Sequence, residues 1–159
     1  MRAAAALAAM LLTAAGAPVL AVAEPSSPAI EEKRQPVATP SADTEYDRGV
    51  RARVVKDWVQ AEAAFRRAIA LRPAFADAWN ELGFALRNLG RYPESIKAYD
   101  EALRLRPNYP EALEYLGEAY VKMGRMDDAR RTLDRLRPLD AARAQELADE
   151  IAAATKPRR

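Results

Sequence analysis

The stretch LRPAFADAWNELG occupies residues 71–83, and thirty-four residues further on the chain reads LRPNYPEALEYLG at 105–117. Leu, Arg, Pro, Ala, Leu and Gly recur in register, and Phe75/Tyr109 and Asp77/Glu111 recur in kind. A pattern that returns at such an interval is one supersecondary unit written several times over. Each unit cannot bury its apolar face alone and buries it on the next.

The block 76–109 shows what the unit is. Its apolar residues fall at helical spacing in two runs. Gly83, Ser95 and Ala102 are small and stand where two antiparallel helices approach closely, with Trp79, Leu82, Leu86 and Tyr99 filling the space beside them. Gly90 supplies the positive φ that ends the first helix. Pro93 suits the first turn of the second, where a missing N–H costs nothing, and Pro107 stops that helix. The pattern resembles the tetratricopeptide repeat, departing from it at Leu86, where Tyr is usual, and Ser95, where Ala is usual.

The flanking blocks repeat the plan with drift. In 110–143, Leu113, Leu116, Gly117, Tyr120, Gly124, Met126 and Ala129 fall on the same places; Leu133 then stands for the aromatic, Leu136 for the small residue, and Pro138 comes early. An early stop suits an end repeat. In 42–75, Gly49, Trp58, Ala61, Phe65, Ala68 and Pro73 match, while Glu45 and Arg48 replace the large apolar pair on a side that has no neighbour. Lys56 stands where Gly is expected, and a left-handed lysine costs on the order of 1 kcal/mol relative to Gly. Beyond Pro138, Asp140 can cap a helix with an apolar stripe of Ala144, Leu147, Ala148 and Ile151. The resemblance implies an all-α fold, a right-handed α-solenoid of three stacked helix-turn-helix units at about 42–75, 76–109 and 110–143. A capping helix at about 140–155 completes a domain spanning 42–155.

The first part of the chain is different. Residues 1–23 carry one early charge, Arg2, then an uncharged run that ends in Ala21-Val22-Ala23. This is the build of a secretory signal peptide, and it places the protein outside the cytoplasm, in the periplasm. An uncleaved membrane anchor is the competing reading, because the run is close to spanning length, and membrane contact would follow only from it. Pro18 and the A-x-A motif favour cleavage. Residues 24–41 hold four prolines and three serines and form a linker.

Composition narrows the function. The 159 residues contain 25 Lys+Arg against 23 Asp+Glu, a net charge of +2, with no basic stripe for a nucleic acid. There is no Cys and no His, so no disulfide, thiolate or imidazole base exists, and no calcium-loop motif replaces them. The chain is therefore read as no enzyme, without metal, cofactor or small-molecule substrate. By resemblance, the first helix of each unit lines a concave groove that takes a protein or peptide. The residues carried onto it are Tyr46 from the first unit, Asn80, Phe84, Arg87 and Asn88 from the second, and Glu111, Glu114, Glu118 and Lys122 from the third. The amides donate and accept, Arg87 can fork onto a carboxylate, and Phe84 and Tyr46 offer flat apolar contact. The row Glu111, Glu114, Glu118 would meet a basic partner or solvent.

One subgroup of the family grips the carboxylate end of chaperone tails with Lys, Asn, Asn, Lys and Arg. The matching places here hold Tyr46, Val50, Glu81, Glu111 and Tyr115, so that ligand is excluded. The implied function is an adaptor or scaffold of the cell envelope, with a self-associating structural component, a homo-oligomer, as the alternative. Export makes a direct prediction. The intact mass of the secreted protein begins at Glu24; a membrane-held product that keeps Met1 reverses the assignment in favour of the anchor.

Overall fold

The computed structural model describes residues 40–156. The expected signal peptide at 1–23 and nearly all of the linker at 24–41 lie outside the described residues. Within them are seven helices and no strand: α1 Ala42–Val54, α2 Trp58–Leu71, α3 Ala76–Asn88, α4 Tyr92–Leu105, α5 Pro110–Lys122, α6 Met126–Leu136 and α7 Ala141–Thr155. Helices pair as α1/α2, α3/α4 and α5/α6; α2 packs on α3, α4 on α5, and α7 on both α5 and α6. The odd-numbered helices α1, α3 and α5 start at residues 42, 76 and 110, the period of the sequence motif. None of the described helices is long and apolar enough to cross a membrane.

Local chemistry sets the helix ends. Ser41 and Thr44 cap α1 reciprocally: the Ser41 hydroxyl accepts from the Thr44 N–H at 3.1 Å and the Ser41 N–H donates to Thr44 Oγ1 at 2.8 Å. Asp57 accepts from the Gln60 N–H at 3.0 Å, and Asp140 accepts from the N–H groups of Ala142 and Arg143, both at 3.0 Å. Between the members of each pair the chain turns through one left-handed residue: Lys56 at φ 59°, Gly90 at 75° and Gly124 at 72°. The turn geometry is therefore imposed by the pairing, and Lys56 adopts it despite its side chain.

The arginine of the recurrent LRP has a structural partner. Arg72 reaches back to Asp43 at 2.5 Å, and Arg106 to Asp77 at 2.9 and 3.0 Å, in each case across twenty-nine residues. Each bridge ties the end of one repeat to the first turn of its opening helix. Trp79 adds a second tie, its indole N–H donating to the Pro73 carbonyl at 2.9 Å.

The core is organised around bare backbone. A Cβ placed on Gly49 would lie 2.5 Å from the Phe65 ring, and one on Gly83 would lie 2.6 Å from the Tyr99 ring. Both rings are fully buried. Ser95, also fully buried, donates its hydroxyl to the Gly83 carbonyl at 2.8 Å and closes the same contact with a hydrogen bond. In the third repeat Leu133 is too short to serve as the ring does. Leu147 of α7 fills the place against Gly117 instead, and with Ala144 and Ile151 forms the buried face of α7.

One expectation fails in this region. A first repeat without an outer neighbour leaves Glu45 free to be charged at the surface, yet it is 3 % exposed. It accepts from Arg67 of α2 at 2.6 Å and pairs with Arg48 at 3.0 Å, so the polar substitution is internalised as a bridged carboxylate.

The glycine contacts make a differential prediction. Gly83→Ala pushes against a ring locked on all sides and lowers unfolding stability by about 1–3 kcal/mol in a urea titration, more than the helix propensity of Ala returns. Gly117→Ala meets the methyls and branch carbon of Leu147, a buried aliphatic side chain on the terminal helix that yields more readily than a ring, and costs less than Gly83→Ala. Equal losses at the two sites would show that the ring contact is not the constraint.

Candidate protein-binding groove

The centre of the concave side is a stack of rings and guanidinium groups. Phe84 of α3 lies edge-on to Trp58 at 5.7 Å between centroids and 5.1 Å from Tyr115 of α5, which in turn lies 6.2 Å from Tyr99. The Arg87 guanidinium stands 5.1 Å from the Phe84 centroid and 4.9 Å from that of Tyr115. It pairs with Glu118 on α5. Arg53 of α1 also lies 5.7 Å from the Phe84 centroid. Because Phe84 follows Gly83 by one residue, the contact that seats Gly83 on Tyr99 turns Phe84 outward to the groove.

The predicted residues fall into three groups. Arg87, Asn88, Glu118 and Lys122 meet, with Tyr92 and Glu150, around a cleft of about 380 Å³. Lys122 pairs there with Glu150 of α7 at 2.8 Å, and the Asn88 amide donates to the Phe84 carbonyl at 2.8 Å, leaving its oxygen to accept. Tyr46, Phe84 and Glu111 are half-buried along the groove. Tyr46 packs on Phe75 at 4.9 Å and Phe65 at 5.7 Å; burial, with the carboxylates of Glu81 and Asp77 nearby, pushes its phenol up to about 12, so it stays a donor at any physiological pH.

The third group corrects the sequence expectation. Asn80 is fully buried, with neither amide atom hydrogen-bonded, and Glu114 is 4 % exposed and bridged to Arg143. The two occupy the same place in successive repeats, and at Glu114 it is α7 that covers the side chain. Neither is presented to a partner on the groove surface.

Glu81 was not among the predicted binding residues, although its place in the carboxylate-gripping pattern marks it. It is 7 % exposed, and its Oε2 lies 3.2 Å from Arg53 Nε without the alignment of a hydrogen bond. Burial pushes its carboxyl up to about 7; Arg53 opposes the shift, and the charges of Glu111 and Asp77 add to it. Asp77 behaves oppositely: burial would raise it, but hydrogen bonds from Arg106 and Tyr109 hold it below the usual carboxylate range. Among the described residues no cluster of acidic side chains is arranged to hold a metal ion.

Fold and site together define an α-solenoid with a charged, aromatic-floored groove. Residues 85–124 match the family described as TPR repeat, and residues 64–97 match the family described as Tetratricopeptide repeat. These matches support the tetratricopeptide repeat assignment for the helical part. Among solved structures, the TPR2B domain of yeast Sti1, in a complex with pHsp70, is similar at a TM-score of 0.68 and 25% identity, covering 74% of this chain and 98% of that one. MamA is similar at 0.59 and 27%, covering 71% and 61%. PcrH from Pseudomonas aeruginosa shares the fold at 0.65 and 21%, covering 72% and 92%. No curated protein matches the chain.

The raised carboxyl of Glu81 has a signed consequence. A folded-state value above the unfolded one means that the native state holds the extra proton between about 4.5 and 7, so stability from this group is lost as pH rises through that window. Glu81→Gln removes the cost of the buried charge. The variant is expected to exceed wild type by about 1–3 kcal/mol at pH 8, with the difference vanishing near pH 4.5 in urea titrations. A difference that is independent of pH would remove Glu81 as the buried titrating group.

Proposed function

We propose that this chain is an exported, non-catalytic adaptor that holds a segment of another protein in the concave groove lined by α1, α3 and α5. The observation that carries the reading is the Phe84–Arg87–Tyr115 stack. It is a pre-organised apolar plate with a fixed charge, the kind of surface on which a few residues supply most of the binding energy. The complex of the similar Sti1 domain with pHsp70 supports peptide capture on this scaffold. The carboxylate-gripping residues are absent, so the partner segment differs in chemistry from a chaperone tail. The expected signal peptide at 1–23 supports an envelope location.

The test is selection of displayed random peptides on the purified chain. Phe84→Ala costs the selected peptides about 2 kcal/mol or more by fluorescence anisotropy while far-UV circular dichroism keeps its helical signal. Lys97→Ala with Glu101→Ala, on α4, changes binding little. Failure to select any peptide, or loss confined to the α4 pair, overturns the groove reading.

A second reading, self-association, rests on an exposed apolar patch at the α1–α2 turn, where Val54, Val55 and Val59 are 73 %, 74 % and 62 % exposed. Sedimentation that depends on concentration in wild type and not in Val55→Glu would favour it; a monomer at all concentrations removes it.

A further inference from the structure

The acids that open α1, α3 and α5 form a series, Asp43, Asp77 and Glu111. The first two are bound by an arginine twenty-nine residues on, Arg72 and Arg106. The position that would supply the third is Asp140, which instead caps α7. Glu111 is left with no ion pair among the described residues, since Arg106 goes to Asp77 and Arg143 to Glu114.

A second observation, independent of that series, lies beside it. Glu81 is more than nine-tenths buried, its Oε2 accepts no hydrogen bond, and it faces Glu111 closely enough for the two charges to interact. Arg53 is the one cation near it and is misaligned, and Asn80 beneath is likewise unpaired. Glu81 thus has one ill-placed arginine and Glu111 has no ion pair, with the Tyr46 ring nearby feeling both charges. Buried acceptors without donors are costly, and a ligand that brings a donor and a positive charge relieves them.

We propose that the groove holds its partner segment by a Lys or Arg side chain whose charged head sits between Glu81 and Glu111, with its alkyl stem along the Tyr46 ring. The proposal rests on the groove-binding reading above and gives that reading its ligand chemistry. It also makes binding sensitive to pH. The groups facing Glu81 are Arg53 and Tyr46 from α1, Asp77 on α3, which Arg106 bridges, and Glu111 from α5. Glu81, raised to about 7 by its burial, takes up a proton and loses its attraction for the cation.

The test uses the peptides selected on the purified chain. They are expected to be enriched in Lys or Arg, and replacing the basic residue by norleucine should weaken binding about tenfold, as a charge-assisted contact does. Glu111→Gln and Glu81→Gln should each weaken the basic peptide by a similar factor and leave the norleucine peptide unchanged, so that the losses do not add. Binding of the basic peptide should fall severalfold from pH 8 to pH 6, and Glu81→Gln should flatten that fall. Acetylating the peptide amino terminus should change nothing; a loss on acetylation would assign the cation to a chain end and overturn the side-chain proposal. Selected peptides without basic residues, or a norleucine loss of the same size in Glu111→Gln as in wild type, overturn the proposal and leave the groove reading standing. If no peptide is selected, both fall together.

Discussion

A helix presented without a side chain against a buried ring is the contact on which this molecule depends. At Gly83 the backbone of α3 is laid directly on Tyr99, and the Ser95 hydroxyl fastens the carbonyl of the same residue. Such closeness brings the axes of a pair together and leaves no rotational freedom, because turning α3 by one residue would drive Phe84 into the ring. Everything on the concave side inherits its direction from this. Phe84, Arg87 and Asn88 point where they do because Gly83 points inward. Tyr99 passes the constraint on, since its ring also lies 6.2 Å from Tyr115 of the next repeat.

Charge works as the second set of ties. Cations late in one odd-numbered helix reach carboxylates on the next: Arg53 to Glu81, Arg87 to Glu118, Lys122 to Glu150. Partly exposed pairs of this kind contribute little individually to stability. Their effect is positional. They hold long side chains across the groove, so a partner meets fixed charges rather than a solvated fringe, and the ordering cost of those side chains is met before binding.

The sequence disclosed the architecture because its rules are local and repeat. Gly at the close contact, Gly or a tolerated Lys56 at the turn, and Pro73 and Pro107 after the second helix all state themselves at fixed spacing. The groove was legible only in direction. Place numbers identified Phe84, Arg87, Asn88, Glu118 and Lys122, which share the central stack and the cleft beside it, but the same numbers also named Asn80 and Glu114, which the structure buries. Burial at those places depends on how closely the following helix approaches, a long-range quantity that no local pattern carries. Glu45 escaped for a related reason: its partner Arg67 lies on another helix, and a carboxylate reads alike in sequence whether it is bridged or solvated. The missing arginine for Glu111 was visible in principle, but only after the structure showed what the arginine of LRP does.

The borrowed leucine at Gly117 changes where the smallest self-sufficient piece of this chain ends. In the first two repeats the wedge against the glycine comes from within the same thirty-four residues. The third takes its wedge from Leu147, beyond its nominal boundary. A chain emerging from synthesis therefore finishes two repeats before α7 exists, while the third stays open until Leu147 has been made. The last repeat and α7 must then form as one cooperative block, and amide protons of α5 and α6 should exchange with those of α7 rather than with those of α3 and α4. What looks like a lid added to a finished stack is, in folding terms, the missing half of its final unit.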